Sequence, residues 1–204
     1  MANPYGMDEE CTRCTELTES RRTIVHGYGD VTADFFFVCE SPSEWADTAG
    51  HPIDPSQSGY GLTDILAASG FLTENNDVGG NPILDNAFIT HLTRCRHPHR
   101  SPRRTEIDAC EPFLNAELRT INPEIILPIG PIPLKSLAEE FTTHDVDAQS
   151  MGSLHATELR GRGFELIPLI EPENMTEADF HAAIERIRGT LRRDYRQTKG
   201  RQDP

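Results

Sequence analysis

The sequence predicts an α/β fold, a three-layer αβα sandwich around a four-stranded parallel sheet. Two observations carry that prediction. Four short runs are apolar at nearly every position instead of alternating, the pattern of strands covered on both faces. Each run gives way to turn residues and then to a helical pattern, the order that builds parallel pairs through crossover helices. With 204 residues, the chain is long enough for a sizeable core. It reads as one domain, its core spanning 11–195 and its end, 196–204, forming a flexible basic tail.

The first run, ADFFFVCE at 33–40, stops at Ser41-Pro42, and the helix candidate GLTDILAASGF follows at 61–71. The Gly/Asn-rich stretch 75–82 reads as a surface loop. The second run, NAFITHLT at 86–93, leads through a basic loop into RRTEIDACEPFLNAELRTI at 103–121. There Ile107, Cys110, Leu114 and Leu118 fall at helical spacing, and Thr105 is the candidate N-cap. The third run, PEIILPIG at 123–130, is opened by Pro123, closed by Gly130 and followed by IPLKSLAEEF at 132–141. The fourth, FELIPLIEP at 164–172, ends at Glu171-Pro172 before TEADFHAAIERIRGTLRRDYR at 176–196. Parallel sheets of this kind bind ligands at the carboxyl ends of their strands. Those ends lie at 40–42, 91–95, Gly130 and 171–172, which locates a site before any function is assigned.

Formal net charge is −14, and only Lys135 and Lys199 are lysines. An acidic chain poor in lysine suits a cytoplasm at very high salt, where carboxylates hold hydrated cations. Against that background two basic clusters stand out. Arg94, Arg96, Arg100, Arg103 and Arg104 occupy one loop with no acid between them, and six more arginines lie at 186–201. The second cluster suits the solvated end of a helix, where cations complement the dipole. The first points to a polyanion. No run approaches the roughly 18 apolar residues of a membrane span, and the start lacks the pattern of a signal peptide. The expectation is a cytoplasmic monomer without a membrane partner, in a compartment where structural disulfides are uncommon.

Cys11 and Cys14 form a Cys-x-x-Cys turn, while Cys95 ends the second strand and Cys110 sits in the following helix. Together they can close a four-thiolate site that ties the N-terminal segment to the basic loop. Zinc and iron–sulfur centres accept the same ligands, and spacing alone also allows unconnected thiols. Cys39, at a strand end, reads as an ordinary buried thiol.

In order, these segments resemble the iron–sulfur uracil-DNA glycosylases, the thermostable, family 4-like branch of the uracil-DNA glycosylase superfamily. CTRCTELTESRRTIVHGYGDVTADFFFVCESP resembles the family's Cys-x-x-Cys, Arg, Gly-x-Gly and first strand. AGHPIDPSQSGYGLTDIL resembles its Gly-x-Pro-Phe segment and helix. NAFITHLTRCRHPHRSPRRTEIDAC resembles the strand, the Lys-Cys-Arg-Pro loop and the Glu-x-x-x-Cys helix. INPEIILPIGPIPLKSL and ELRGRGFELIPLIEP resemble the third strand and the closing motif. The resemblance implies a [4Fe–4S] cluster on Cys11, Cys14, Cys95 and Cys110, with zinc the alternative. It also implies DNA as partner, the loop arginines facing phosphates, and a base-excision hydrolase acting on a flipped base.

Several positions depart from the family pattern. Glu40 keeps the first motif's acid, but of the later acidic pair only Asp47 remains, with Ala46 beside it. Ile53 stands where a Phe stacks on the base, His91 where an Asn reads it, and Glu171 where a His donates to it. Cys39 and Ser43 replace glycines. Glu40, Asp47 and Glu171 are therefore the catalytic candidates, and Ser41, Pro42, Ile53 and His91 the base-contacting ones. An ionised Glu171 accepts hydrogen bonds and cannot donate one to a leaving uracil anion. The expectation is a glycosylase of altered specificity or reduced activity. The alternative is an iron–sulfur nucleic-acid-binding protein that does not cut.

Overall fold

A computed structural model describes residues 6–55, 59–77, 79–143, 146 and 151–195; the basic tail 196–204 lies outside them. In chain order the strands are β1 (Tyr28–Gly29), β2 (Phe35–Cys39), β3 (Leu72–Asn76), β4 (Pro82–Leu84), β5 (Ala87–His91), β6 (Ile125–Pro128), β7 (Leu159–Arg160) and β8 (Glu165–Leu166). The helices are α1 (Thr15–Ser20), α2 (Glu44–Ala49), α3 (Leu62–Ser69), α4 (Arg104–Ile121), α5 (Pro131–Phe141), α6 (Met151–Leu154) and α7 (Glu177–Leu191). Among the described residues no helix is long and apolar enough to cross a membrane.

The four apolar runs supply the parallel centre of the sheet, β5-β2-β6-β8. Two-residue antiparallel strands, β1 and β7, extend it at the edges, so the main sheet has six strands. Both additions are too short to show any periodicity in the sequence. The stretch 75–82 also differs from expectation. It belongs to a β3–β4 hairpin, closed where the Asp77 carboxylate accepts the N–H groups of Gly79 and Asn81 at 2.8 and 2.9 Å.

Alternate residues of β2 explain the three layers, because strand side chains point to opposite faces. Phe35 and Phe37 join Ile65, Leu66 and Ile187 on the face covered by α3 and α7. Phe36 and Val38 join Leu114, Leu134 and Leu137 on the face covered by α4 and α5. Helix α4 buries Ile107, Cys110, Leu114 and Ile121 on one side. Its N-cap is Arg103, not Thr105, which lies inside the first turn. The Glu106 carboxylate reaches back to accept the Arg103 N–H at 2.7 Å, satisfying a donor that the helix start leaves open.

Candidate functional site

A cleft of about 580 Å³ opens at the carboxyl ends of the central strands. The parallel register pairs Cys39 with His91, so the residue after β2, Glu40, emerges beside the last residue of β5. Ser41 and Pro42 continue the wall, Ile129 follows β6, and Glu171 and Pro172 close the opposite side. Glu40 is half-buried, and burial pushes its carboxyl pKa up. A hydrogen bond from Ser101 opposes that shift, whereas the charges of Glu171 and Glu173 reinforce it. His91 is 3% exposed with Nδ1 buried and unpartnered. Burial, and then the Arg94 charge, hold its pKa down to about 3. The ring is therefore neutral, with one donor and one acceptor.

Glu171 is set in place from two sides. Asn174 Nδ2 donates to its Oε2 at 3.0 Å. Across from it Gly130 has φ 92°, and a Cβ there would lie 2.7 Å from Glu171 Oε1. Only a glycine leaves room for this carboxylate against the strand end.

Five of the seven catalytic and base-contacting candidates thus line one cleft; Asp47 and Ile53 do not. Asp47 is buried in α2 and turns its carboxylate to the backbone N–H of Arg22, at 3.0 and 3.2 Å to its two oxygens. It anchors the 21–23 loop and does not line the cleft. Ile53 is 2% exposed within the apolar cluster against α3, so it supports the wall from behind. The sequence reading passed over Trp45, Asp54 and Glu173, which do line the cleft. Trp45 carried a usable signal: it is the chain's one tryptophan, three residues after the first strand's Pro42.

The basic loop is likewise corrected in part. Arg94 faces inward at 1% exposure. It pairs with Glu117 at 2.6 Å and donates to the His91 carbonyl. Further hydrogen bonds offset the desolvation of such a buried pair, although Arg94 Nε is left buried without one. Here Glu117 also accepts from Thr90 Oγ1 at 2.7 Å and from the Gly27 N–H. Arg100 makes bonds of 2.7 and 2.8 Å to the two Glu106 oxygens and one of 2.8 Å to Glu16. Arg103 also pairs with Glu16, and Arg104 pairs with Asp108 and Glu139. Arg96 makes no ion pair with a described residue, and exposed His99 stands nearby in sequence. In the second cluster Arg186 and Arg193 both hold Glu158, and Arg193 also holds Glu165, bracing the β7–β8 edge.

Cys11, Cys14, Cys95 and Cys110 line one enclosed space, with Leu17, Ile24, His26 and Phe113 around them. The Arg94 N–H donates to Cys110 Sγ at 3.3 Å, and Arg21 Nη1 to Cys95 Sγ at 3.4 Å. Such donors stabilise metal-bound thiolates. Burial first, then the neighbouring thiols, push Cys14 up to about 11, so ligation requires displacing protons. Among the described residues no three His, Cys, Asp or Glu groups gather around one point as a single ion would demand. The Glu16 bridges to Arg100 and Arg103 fasten α1, which follows Cys14, to the loop after Cys95.

The family model for the uracil DNA glycosylase superfamily matches residues 26–188. The chain is 33% identical over 122 residues to the type-4 uracil-DNA glycosylase of Saccharolobus solfataricus, covering 59% of this chain and 51% of that one. Against the Pyrobaculum aerophilum type-4 uracil-DNA glycosylase it is 32% identical over 136 residues, or 66% and 63% of the two chains. Against that of Archaeoglobus fulgidus it is 27% identical over 167 residues, or 79% and 76%. The match to the first two relatives spans between about half and just under two thirds of their length.

Proposed function

The chain belongs to the uracil-DNA glycosylase superfamily, and on that premise we propose that it hydrolyses the N-glycosidic bond of a damaged base flipped out of DNA. The observation that carries this reading is the placement of Glu40 beside a neutral, incompletely partnered His91 at the carboxyl ends of adjacent strands. Cleavage leaves cationic character on the sugar. A carboxylate at Glu40 stabilises that charge and orients the attacking water, whose proton it or solvent accepts. His91 and Trp45 stand in the wall that meets the base, the indole offering an apolar face. Arg96 and the exposed faces of Arg103 and Arg104 supply phosphate contacts.

The four clustered cysteines are assigned to a [4Fe–4S] centre with a structural role, holding the loop that carries Arg96. Iron content and visible absorbance of anaerobically purified protein distinguish it from zinc. Single-turnover incubation with oligonucleotides carrying damaged bases, followed by alkaline cleavage at abasic sites, tests the enzymatic reading. Product from any of them supports a glycosylase. A second reading, a non-catalytic DNA-binding protein, is favoured by Glu171, which as a carboxylate gives no hydrogen bond to a leaving anion. DNA binding with no product from any lesion would select it.

A further inference from the structure

We propose that the base accepted by this cleft is cationic: a purine alkylated on a ring nitrogen, which leaves the sugar as a neutral molecule. The inference rests on the glycosylase reading and names its substrate class. Three features of the cleft converge on it.

The first is charge. Glu40, Glu44, Asp54, Glu171 and Glu173 all line the cleft, and no arginine or lysine does so among the described residues. A uracil leaving as an anion would meet this excess of carboxylates; a purinium ring would meet counter-charges. The second is His91, 97% buried in the same wall with Nδ1 unpartnered. A neutral imidazole in that wall adds no positive charge that would oppose a cationic base. The third is Trp45. An indole face attracts a cationic ring more strongly than a neutral one, and it supplies the aromatic contact that the buried Ile53 cannot.

The chemistry removes the need for the missing donor. In a nucleotide alkylated at purine N7, the ring is positively charged before reaction. As the C1′–N9 bond breaks, its electron pair goes to N9 and cancels that charge, so the free alkylpurine needs no proton and no hydrogen bond to depart. Positive charge passes to the sugar, next to Glu40. Water oxygen then bonds to C1′ and its proton goes to Glu40 or solvent. Glu171, a handicap for uracil, becomes a counter-charge for the bound base.

The test uses the full chain with its metal centre, in excess over duplexes carrying one N7-methylguanine, one uracil or one hypoxanthine, with released base measured by chromatography. Methylguanine is expected to be released at least about tenfold faster than uracil, a difference of one well-placed charge interaction. Glu171→Gln keeps a partner for Asn174 and should slow methylguanine release by about tenfold. Glu171→His should shift preference toward uracil. Faster release of uracil or hypoxanthine than of methylguanine would overturn the cationic substrate while leaving the glycosylase reading intact. Binding of all three duplexes without release of any base would overturn both.

Discussion

Arg94 and Glu117 form an ion pair sealed inside the protein, with Arg94 Nη2 2.6 Å from Glu117 Oε2 and neither side chain more than 2% exposed. The same arginine holds the His91 carbonyl through Nη1, and its backbone N–H reaches Cys110 Sγ. One residue thereby links the wall of the cleft, the centre of α4 and the cysteine site. Its position between His91 and Cys95 in sequence is the cause: the strand has just ended, and the next side chain inward meets α4.

Removing one partner of this pair leaves a buried charge uncompensated, which typically costs about 3–5 kcal/mol. Arg94→Met is expected to destabilise by that amount in urea unfolding. Arg94→Met with Glu117→Met, which removes both charges, should recover most of the loss. A double variant as unstable as the single one would show that Arg94 acts through packing alone.

The sequence made the sheet's parallel centre legible because β2, β5 and β6 are continuous apolar runs, and no amphipathic surface strand reads that way. It also located the cleft, since strand ends and turn residues mark the same positions. Burial was where it failed. Arg94 and Arg96 look alike in a basic loop, and only the packing of α4 against β5 shows that one is interior. Asp47 stood as the remaining member of the family's acidic pair, yet its carboxylate answers backbone donors of the 21–23 loop, a long-range pairing that no local pattern records. Trp45 and Glu173 were missed for the opposite reason: each lies in a short segment with no periodicity, and the cleft forms only when α2 and the Pro172–Asn174 turn come together.

The loop arginines should now separate experimentally. Arg96 makes no ion pair with a described residue, so Arg96→Ala is expected to weaken DNA binding across sequences and lower the salt slope by about one unit. Arg100 is held by Glu106 and Glu16. Arg100→Ala should leave the salt slope nearly unchanged and instead loosen α1, seen as faster loss of the proposed iron–sulfur centre to a chelator. Equal effects of the two substitutions on the salt slope would defeat this division.

His91 should impose a pH dependence on stability. Its pKa falls from 6.5 in the ordinary case to about 3, through burial and then Arg94. The unfolded chain takes up the proton first, so this contribution is complete above about 6.5 and is lost as pH falls toward about 3. Between pH 6.5 and 5, before most carboxylates titrate, the urea midpoint is expected to decline. His91→Asn should flatten that decline. An unaltered slope in the variant would place the effect on other groups.

Gly130 and Glu171 should behave as a coupled pair. Gly130 has φ 92° and ψ 168°, a region essentially reserved for glycine, where another residue costs about 1–3 kcal/mol. Gly130→Ala adds a clash, because the new Cβ would fall 2.7 Å from Glu171 Oε1. In a Glu171→Ala background the clash disappears and the backbone strain stays. The stability cost of Gly130→Ala is therefore expected to be smaller there, and the difference measures the close contact. Identical costs in both backgrounds would mean that the carboxylate swings aside freely. In that event Glu171 is not fixed toward the cleft, and its influence on substrate charge must be correspondingly weak.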